Sequence, residues 1–123
     1  MPNVASSCRR PKPPLTERPL LTSGSSEDVA ALFKILANPT RLRIVHALTR
    51  SHELCVSDLA ALLEMKPQAV SNQLQRLTDR KMLACRRDGT HSYYRIGDSC
   101  VAELLDSGIC LLEDMGAPCG SSC

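Results

Sequence analysis

With 123 residues, 43% of them hydrophobic, the chain has room for one domain with a modest core, completed by association with a second copy. No apolar run approaches the roughly 18 residues that cross a membrane, and no apolar stretch follows Arg9, Arg10 and Lys12 to make a secretory signal. Net charge is only +2, and seven cysteines are an odd number, which excludes a closed intrachain disulfide framework and points to reduced thiols in the cytoplasm.

Residues 1–24 hold five prolines among many Ser and Thr and lack apolar periodicity, so they read as a flexible arm. Ser25-Ser26-Glu27-Asp28 reads as a helix cap, and Val29, Leu32, Phe33 and Leu36 follow at helical spacing. This first helix should end near Asn38-Pro39. Thr40 is placed to cap a second helix carrying Leu42, Ile44, Val45 and Leu48. Ser57 is placed to cap a third, with Leu59, Ala60, Leu62 and Leu63 as its apolar face.

Lys66-Pro67 opens a fourth helix, where proline is tolerated in the first turn. Ala69, Val70, Leu74 and Leu77 form one buried stripe. The opposite face presents Gln68, Ser71, Asn72, Gln73, Gln75 and Arg76. Amide side chains pair with adenine edges, and Ser reaches phosphate or base. Most polar helix faces are merely solvated, but a basic hairpin follows this one. Met82–Asp88 and His91–Ile96 read as two strands around Asp88-Gly89. Tyr93 and Tyr94 are expected to pack rather than to stack on bases.

Gly97-Asp98 opens a last helix with Val101, Leu104, Leu105, Gly108, Ile109, Leu112 and Met115 in one stripe. A terminal helix this apolar packs against a partner copy. Residues 116–123 form a flexible tail with Cys119 and Cys123. The predicted fold is therefore mainly α with a two-stranded β-wing, in the order of four helices, two strands and a fifth helix. That is a winged helix-turn-helix over residues 25–115, assembled as a homodimer.

Charge is unevenly spread. Residues 1–19 carry four basic side chains against Glu17, and residues 66–96 carry seven against Asp79 and Asp88. Residues 97–123 carry Asp98, Glu103, Asp106, Glu113 and Asp114 with no Lys or Arg. The basic segment suits phosphate contacts and the acidic one suits cations. The candidate DNA-binding residues are Lys66, Gln68, Ser71, Asn72, Gln73, Arg76, Arg86, Arg87 and His91.

Four segments, LANPTRLRIVHAL (36–48), ELCVSDLA (53–60), AVSNQLQRL (69–77) and RRDGTHSYYRI (86–96), resemble the ArsR/SmtB family of arsenic- and metal-responsive repressors. The resemblance implies a non-enzymatic homodimer with its first and last helices at the interface. It also implies operator DNA bound by the ion-free dimer and released when a metal binds. Two sensor positions follow from it. Cys55 matches the first thiol of the family's third-helix motif, Ser57 stands where a second thiol often is, and Cys8 is placed to join from the arm. On the last helix, Asp98 and Cys100 match the start of the zinc sensors' pattern, with Cys110 and Asp114 near its end.

Cys100 and Cys110 are ten residues apart, so about 15 Å separates them along one helix and they cannot share an ion within a chain. In an antiparallel pair of chains, Cys100 of one can approach Cys110 of the other, with Cys119 and Cys123 folding back. Cys100, Cys110, Cys119 and Cys123 are the preferred ligands; Cys55 and Cys8 form a second set, with Asp98 and Asp114 as carboxylate candidates. Thiolate-rich sites favour soft ions such as cadmium, lead, mercury or trivalent arsenic, and zinc less so. His46, His52 and His91 fall in no ligand pair, and His46 is expected near the core or interface. The alternative is a thiol or persulfide redox switch on the same fold. No catalytic Ser/His/Asp or Cys/His spacing is present.

Overall fold

Capping side chains, rather than apolar periodicity, decide where most of the helices start. The computed structural model describes residues 12–116. After a 3-10 turn at Leu15–Glu17, the chain forms α1 (Ser23–Leu36), α2 (Pro39–Arg50), β1 (Leu54–Cys55), α3 (Val56–Leu63), α4 (Pro67–Asp79), β2 (Leu83–Asp88), β3 (His91–Ile96) and α5 (Ser99–Met115).

Three caps differ from the sequence expectation. Thr22 caps α1: its hydroxyl accepts from the Ser25 N–H at 3.1 Å, and the Ser25 hydroxyl accepts from the Thr22 N–H at 2.8 Å. The helix therefore begins at Ser23, inside the span expected to be arm. Asn38, not Thr40, caps α2 by accepting from the Arg41 N–H, with Pro39 as the first helical residue. Cys55, not Ser57, holds the cap position of α3, where Asp58 accepts from its backbone N–H. Ser57 lies inside the first turn.

The wing also gains a strand. β1 pairs antiparallel with β3, giving a three-stranded sheet of order β1-β3-β2. A two-residue strand carries no period, so it left no pattern to read. The hairpin turn is Gly89-Thr90, with Asp88 opposite His91 as the last pair and Gly89 at φ +65°.

The core joins Leu36, Ile44, Val45, Leu48, Leu59, Leu63, Val70, Leu74 and Leu77 to Met82, Leu83, Tyr94 and Val101. Leu62, expected on the buried face of α3, is instead 57% exposed. It lies around the helix from Leu59 and Leu63, which carry that contact. Val29, Leu32 and Phe33 of α1 and Ile109, Leu112 and Met115 of α5 also remain largely exposed. Of these, Phe33, Ile109 and Leu112 line an apolar groove of about 460 Å³ together with Leu36, Val45 and Leu104. No helix among the described residues is long and apolar enough to cross a membrane.

Gly97 closes the root of the wing. Its N–H donates to the Met82 carbonyl, and a Cβ there would meet the Lys81 oxygen at 3.0 Å and the Leu83 carbon at 3.1 Å. Gly97→Ala should therefore cost about 1–3 kcal/mol through backbone displacement, read as a lowered thermal midpoint. Gly108→Ala, with nothing within 4 Å, should be neutral or stabilising.

Candidate nucleic-acid interface and thiol positions

Val70, Leu74 and Leu77 of α4 are each fully buried, which fixes the rotation of the helix and turns its polar face outward. Gln68, Asn72 and Arg76 are exposed on that face, with Lys66 at the cap position. The Gln68 amide donates to the Asn72 side-chain oxygen at 3.1 Å, so one turn of helix holds both amides in a defined direction. Ser71 is half-buried beside them. Gln73 is differently employed: its side-chain oxygen accepts from Arg41 Nε at 2.7 Å, while Arg41 Nη1 donates to the Ile35 carbonyl. Arg41 thus ties α4 to α2 and to the end of α1, a role the sequence did not signal.

Strand alternation separates the two wing arginines. Arg86 lies opposite Tyr93, and Arg87 opposite Ser92. Arg86, Asp88, His91 and Tyr93 therefore share one face, and Cys85, Arg87, Ser92 and Tyr94 the other. Arg87 is exposed, and no ion pair engages it among the described residues. Arg86 is engaged three ways. Its Nη2 donates to Glu53 Oε1 at 2.7 Å, its Nε donates to Glu53 Oε2 at 3.1 Å, and its guanidinium carbon lies 4.8 Å from the Tyr93 ring centroid. The Arg86 hydrogen bond holds the Glu53 carboxyl below the usual carboxylate range. A depressed carboxyl contributes its stabilisation above its unfolded value and loses it only as pH falls through the lower folded one, so this pair persists at neutral pH. His91 is exposed at the wing tip, its ring 6.2 Å from that of Tyr93. Tyr94 is buried as expected, and burial, with Cys85 opposite it, pushes its phenol up.

Cys55 is buried, with its sulfur 3.3 Å from the Ser57 hydroxyl. Cys100 is half-buried in the first turn of α5, where Lys12 Nζ reaches its sulfur at 3.6 Å. Asp98 caps α5, one carboxylate oxygen accepting from the Cys100 N–H at 2.9 Å. Cys110 and Asp114 are half-buried further along α5. Cys85, not among the expected ligands, is exposed on the wing. Cys8, Cys119 and Cys123 lie outside the described residues. Among the described residues, no three His, Cys, Asp or Glu side chains gather closely enough to hold an ion. His46, expected near the core or the interface, is outside the core, exposed on α2 beside a concavity of about 380 Å³ shared with Arg43 and Arg50.

The family model for bacterial regulatory proteins of the arsR family matches residues 38–80, from the cap of α2 to the end of α4. A transcriptional repressor SmtB homolog of Synechocystis is 35% identical over 111 residues, spanning 80% of this chain and 83% of its own length. The chain belongs to the ArsR family. The cadmium resistance regulator CadC of Listeria innocua is a 32% identical relative, spanning 77% of this chain and 80% of its own. Among solved structures, the AntR antimony-specific transcriptional repressor is 56% identical, with a TM-score of 0.74 over 85% of this chain and 95% of AntR. A homodimeric winged helix-turn-helix DNA-binding domain from Mycobacterium bovis is 30% identical, with a TM-score of 0.67 over 79% of this chain and 89% of that one. The winged helix-turn-helix reading is thereby established, and the chain is a transcriptional regulator, not an enzyme.

For this ArsR-family chain, the polar face of α4 and the wing are expected to give separable DNA phenotypes. Arg87→Ala should weaken binding to every duplex and reduce the slope of log affinity against log salt by about 1, through one lost phosphate contact. Gln68→Ala or Asn72→Ala should instead cost about 1–3 kcal/mol of sequence discrimination. Fluorescence anisotropy across a salt series, on selected and scrambled duplexes, separates the two.

Proposed function

We propose that this chain is a homodimeric, operator-binding repressor released from DNA by a thiophilic metalloid or metal ion held by cysteine thiolates. The observation that carries the reading is 56% identity, over 85% of the chain, to an antimony-specific repressor. The cadmium-resistance relative extends the same chemistry. With seven Cys and three His in the chain, sulfur dominates the soft donors. Trivalent antimony and arsenic, each satisfied by three thiolates, head the list of inducers, followed by cadmium, lead and mercury; zinc prefers His or carboxylate partners.

The uncovered faces of α1 and α5 support the dimer. A second copy laid on the groove beside Phe33, Leu104, Ile109 and Leu112 covers the apolar side chains the single chain leaves in water. The homodimeric neighbour has the same fold. On this reading the ligands that one chain's described residues do not gather are drawn from residues 1–11, from 117–123 or from the second copy. The preferred set is Cys100 and Cys110 with Cys119 and Cys123, and Cys55 with Cys8 is the second. The acidic side chains of α5 lower the cost of concentrating a cation there. A dimer seam is also where a small shift respaces two recognition helices. The redox alternative uses the same thiols, and keeping the chain strictly reduced separates it from the ionic one.

Titrating the reduced chain with antimonite, arsenite and cadmium should produce sulfur-to-metal absorption in the ultraviolet; cadmium should displace thiol protons and bind more weakly at low pH, whereas the trivalent hydroxides should lose water as the sulfur bonds form. Cys110→Ser should keep DNA binding and lose most of the absorption and the release. Cys55→Ser should keep most of both. If Cys55→Ser alone abolishes them, the sensor lies at α3. Ile109→Glu should convert the dimer to monomer in sedimentation, because the interface would bury an unpaired charge.

A further inference from the structure

The hairpin of β2 and β3 is held to the helices by little backbone. On one side, β1 offers only the two pairs Leu54 with Tyr94 and Cys55 with Tyr93. At the root, Gly97 closes onto Met82. Leu83 and Tyr94 pack into the core, and beyond this three-stranded part the ribbon of residues 87–92 has only its own pairing, which is marginal by itself. The outer face carries one further tie. Glu53 sits in the link between α2 and β1, and both its oxygens accept from Arg86, halfway along β2. The same guanidinium lies over Tyr93 of β3, which is the register partner of both Arg86 and Cys55. The carboxylate, the guanidinium and the phenol ring thus join the link before β1 to both strands of the hairpin on one face.

We propose that Arg86 is a positioning residue rather than a phosphate anchor: clamped by Glu53 and stacked on Tyr93, it fixes the angle of the wing to the helix-turn-helix. The two arginines at the wing then divide the work. Arg87, on the opposite face and without an ion pair among the described residues, meets the phosphates. Arg86 holds the platform from which it does so. A planar fork is needed for this, because the two nitrogens engage two oxygens while the flat face rests on the ring. Asp88, at 3.7 Å from Nη1, adds charge near the tip but no second fork.

The inference rests on the DNA-binding reading, and the test keeps the two apart. Glu53→Gln, Arg86→Ala and Arg86→Lys are compared with wild type by anisotropy on a duplex selected by the wild-type chain, across a salt series. Amide exchange of β2 and β3 is measured in the DNA-free protein. The positioning role predicts that all three variants weaken binding by about threefold to fivefold, with an unchanged salt slope. Arg86→Lys should behave like Arg86→Ala, since charge without the fork does not restore the clamp. Exchange should rise at Arg86 and Tyr93 in all three. The idea fails if Arg86→Ala lowers the salt slope by about 1 while Arg86→Lys retains it and Glu53→Gln tightens binding, which is the signature of a phosphate contact with a competing carboxylate. Unchanged exchange in the variants also overturns it. If the wild-type chain binds no duplex, the repressor reading falls, and the exchange data alone still decide the clamp.

Discussion

The complete burial of one side of α4 is the constraint on which the rest of the structure depends. Val70, Leu74 and Leu77 have no exposed surface, and they face Ile44, Val45 and Leu59, which have none either. A helix seated by three such side chains cannot rotate without opening a cavity worth several kcal/mol. Its polar residues are therefore presented as a fixed set rather than as a mobile surface. The Arg41 bridge to Gln73 adds a polar lock at the rim of the same contact. Preorganisation of this kind lets a short helix discriminate among base pairs, because little ordering entropy remains to be lost on binding.

The opposite side of the molecule shows the reverse condition. The apolar faces of α1 and α5 are incompletely covered, and the thiols of α5 lie on the helix that borders this groove. In a dimer closed over that face, thiolate chemistry and subunit spacing share one element. On the proposed reading, ion binding would act by drawing two α5 helices together or apart and so changing the separation of the two α4 helices. Cys55 offers a different route. It caps α3 and pairs with Tyr93, so an occupant there acts on the wing and on the helix preceding α4. The chain thus carries two thiol positions, each connected to a different part of the DNA-reading surface.

Much of this was legible in the sequence, for physical reasons that can be named. The period-3.6 stripe of α4, the proline at its start and the Asp-Gly hairpin each encode a local structure strongly, and the order of elements followed from them. The helix starts were less legible. Thr22 and Asn38 compete with nearby residues of similar capping ability, and at α3 the weaker capper Cys55 holds the position because Asp58 bonds back to its N–H; the outcome depends on backbone torsions that sequence does not show. The strand β1 is too short for a pattern. Leu62 had the right composition for the core but the wrong angular position. The ties between Arg41 and Gln73 and between Glu53 and Arg86 join residues 32 and 33 apart, so no local pattern could reveal them. The candidate thiols were visible as residue types, but which of them meet depends on the chain termini and on a second copy.

The most direct test is DNA binding by the reduced, full-length chain, followed by anisotropy on a selected duplex while antimonite, arsenite or cadmium is added. The account predicts loss of the complex at an ion-to-dimer ratio near that of the sulfur-to-metal absorption change, and its recovery when a small dithiol removes the ion. A complex that persists through full occupancy of the thiols, or one that dissociates only on oxidation, would contradict it.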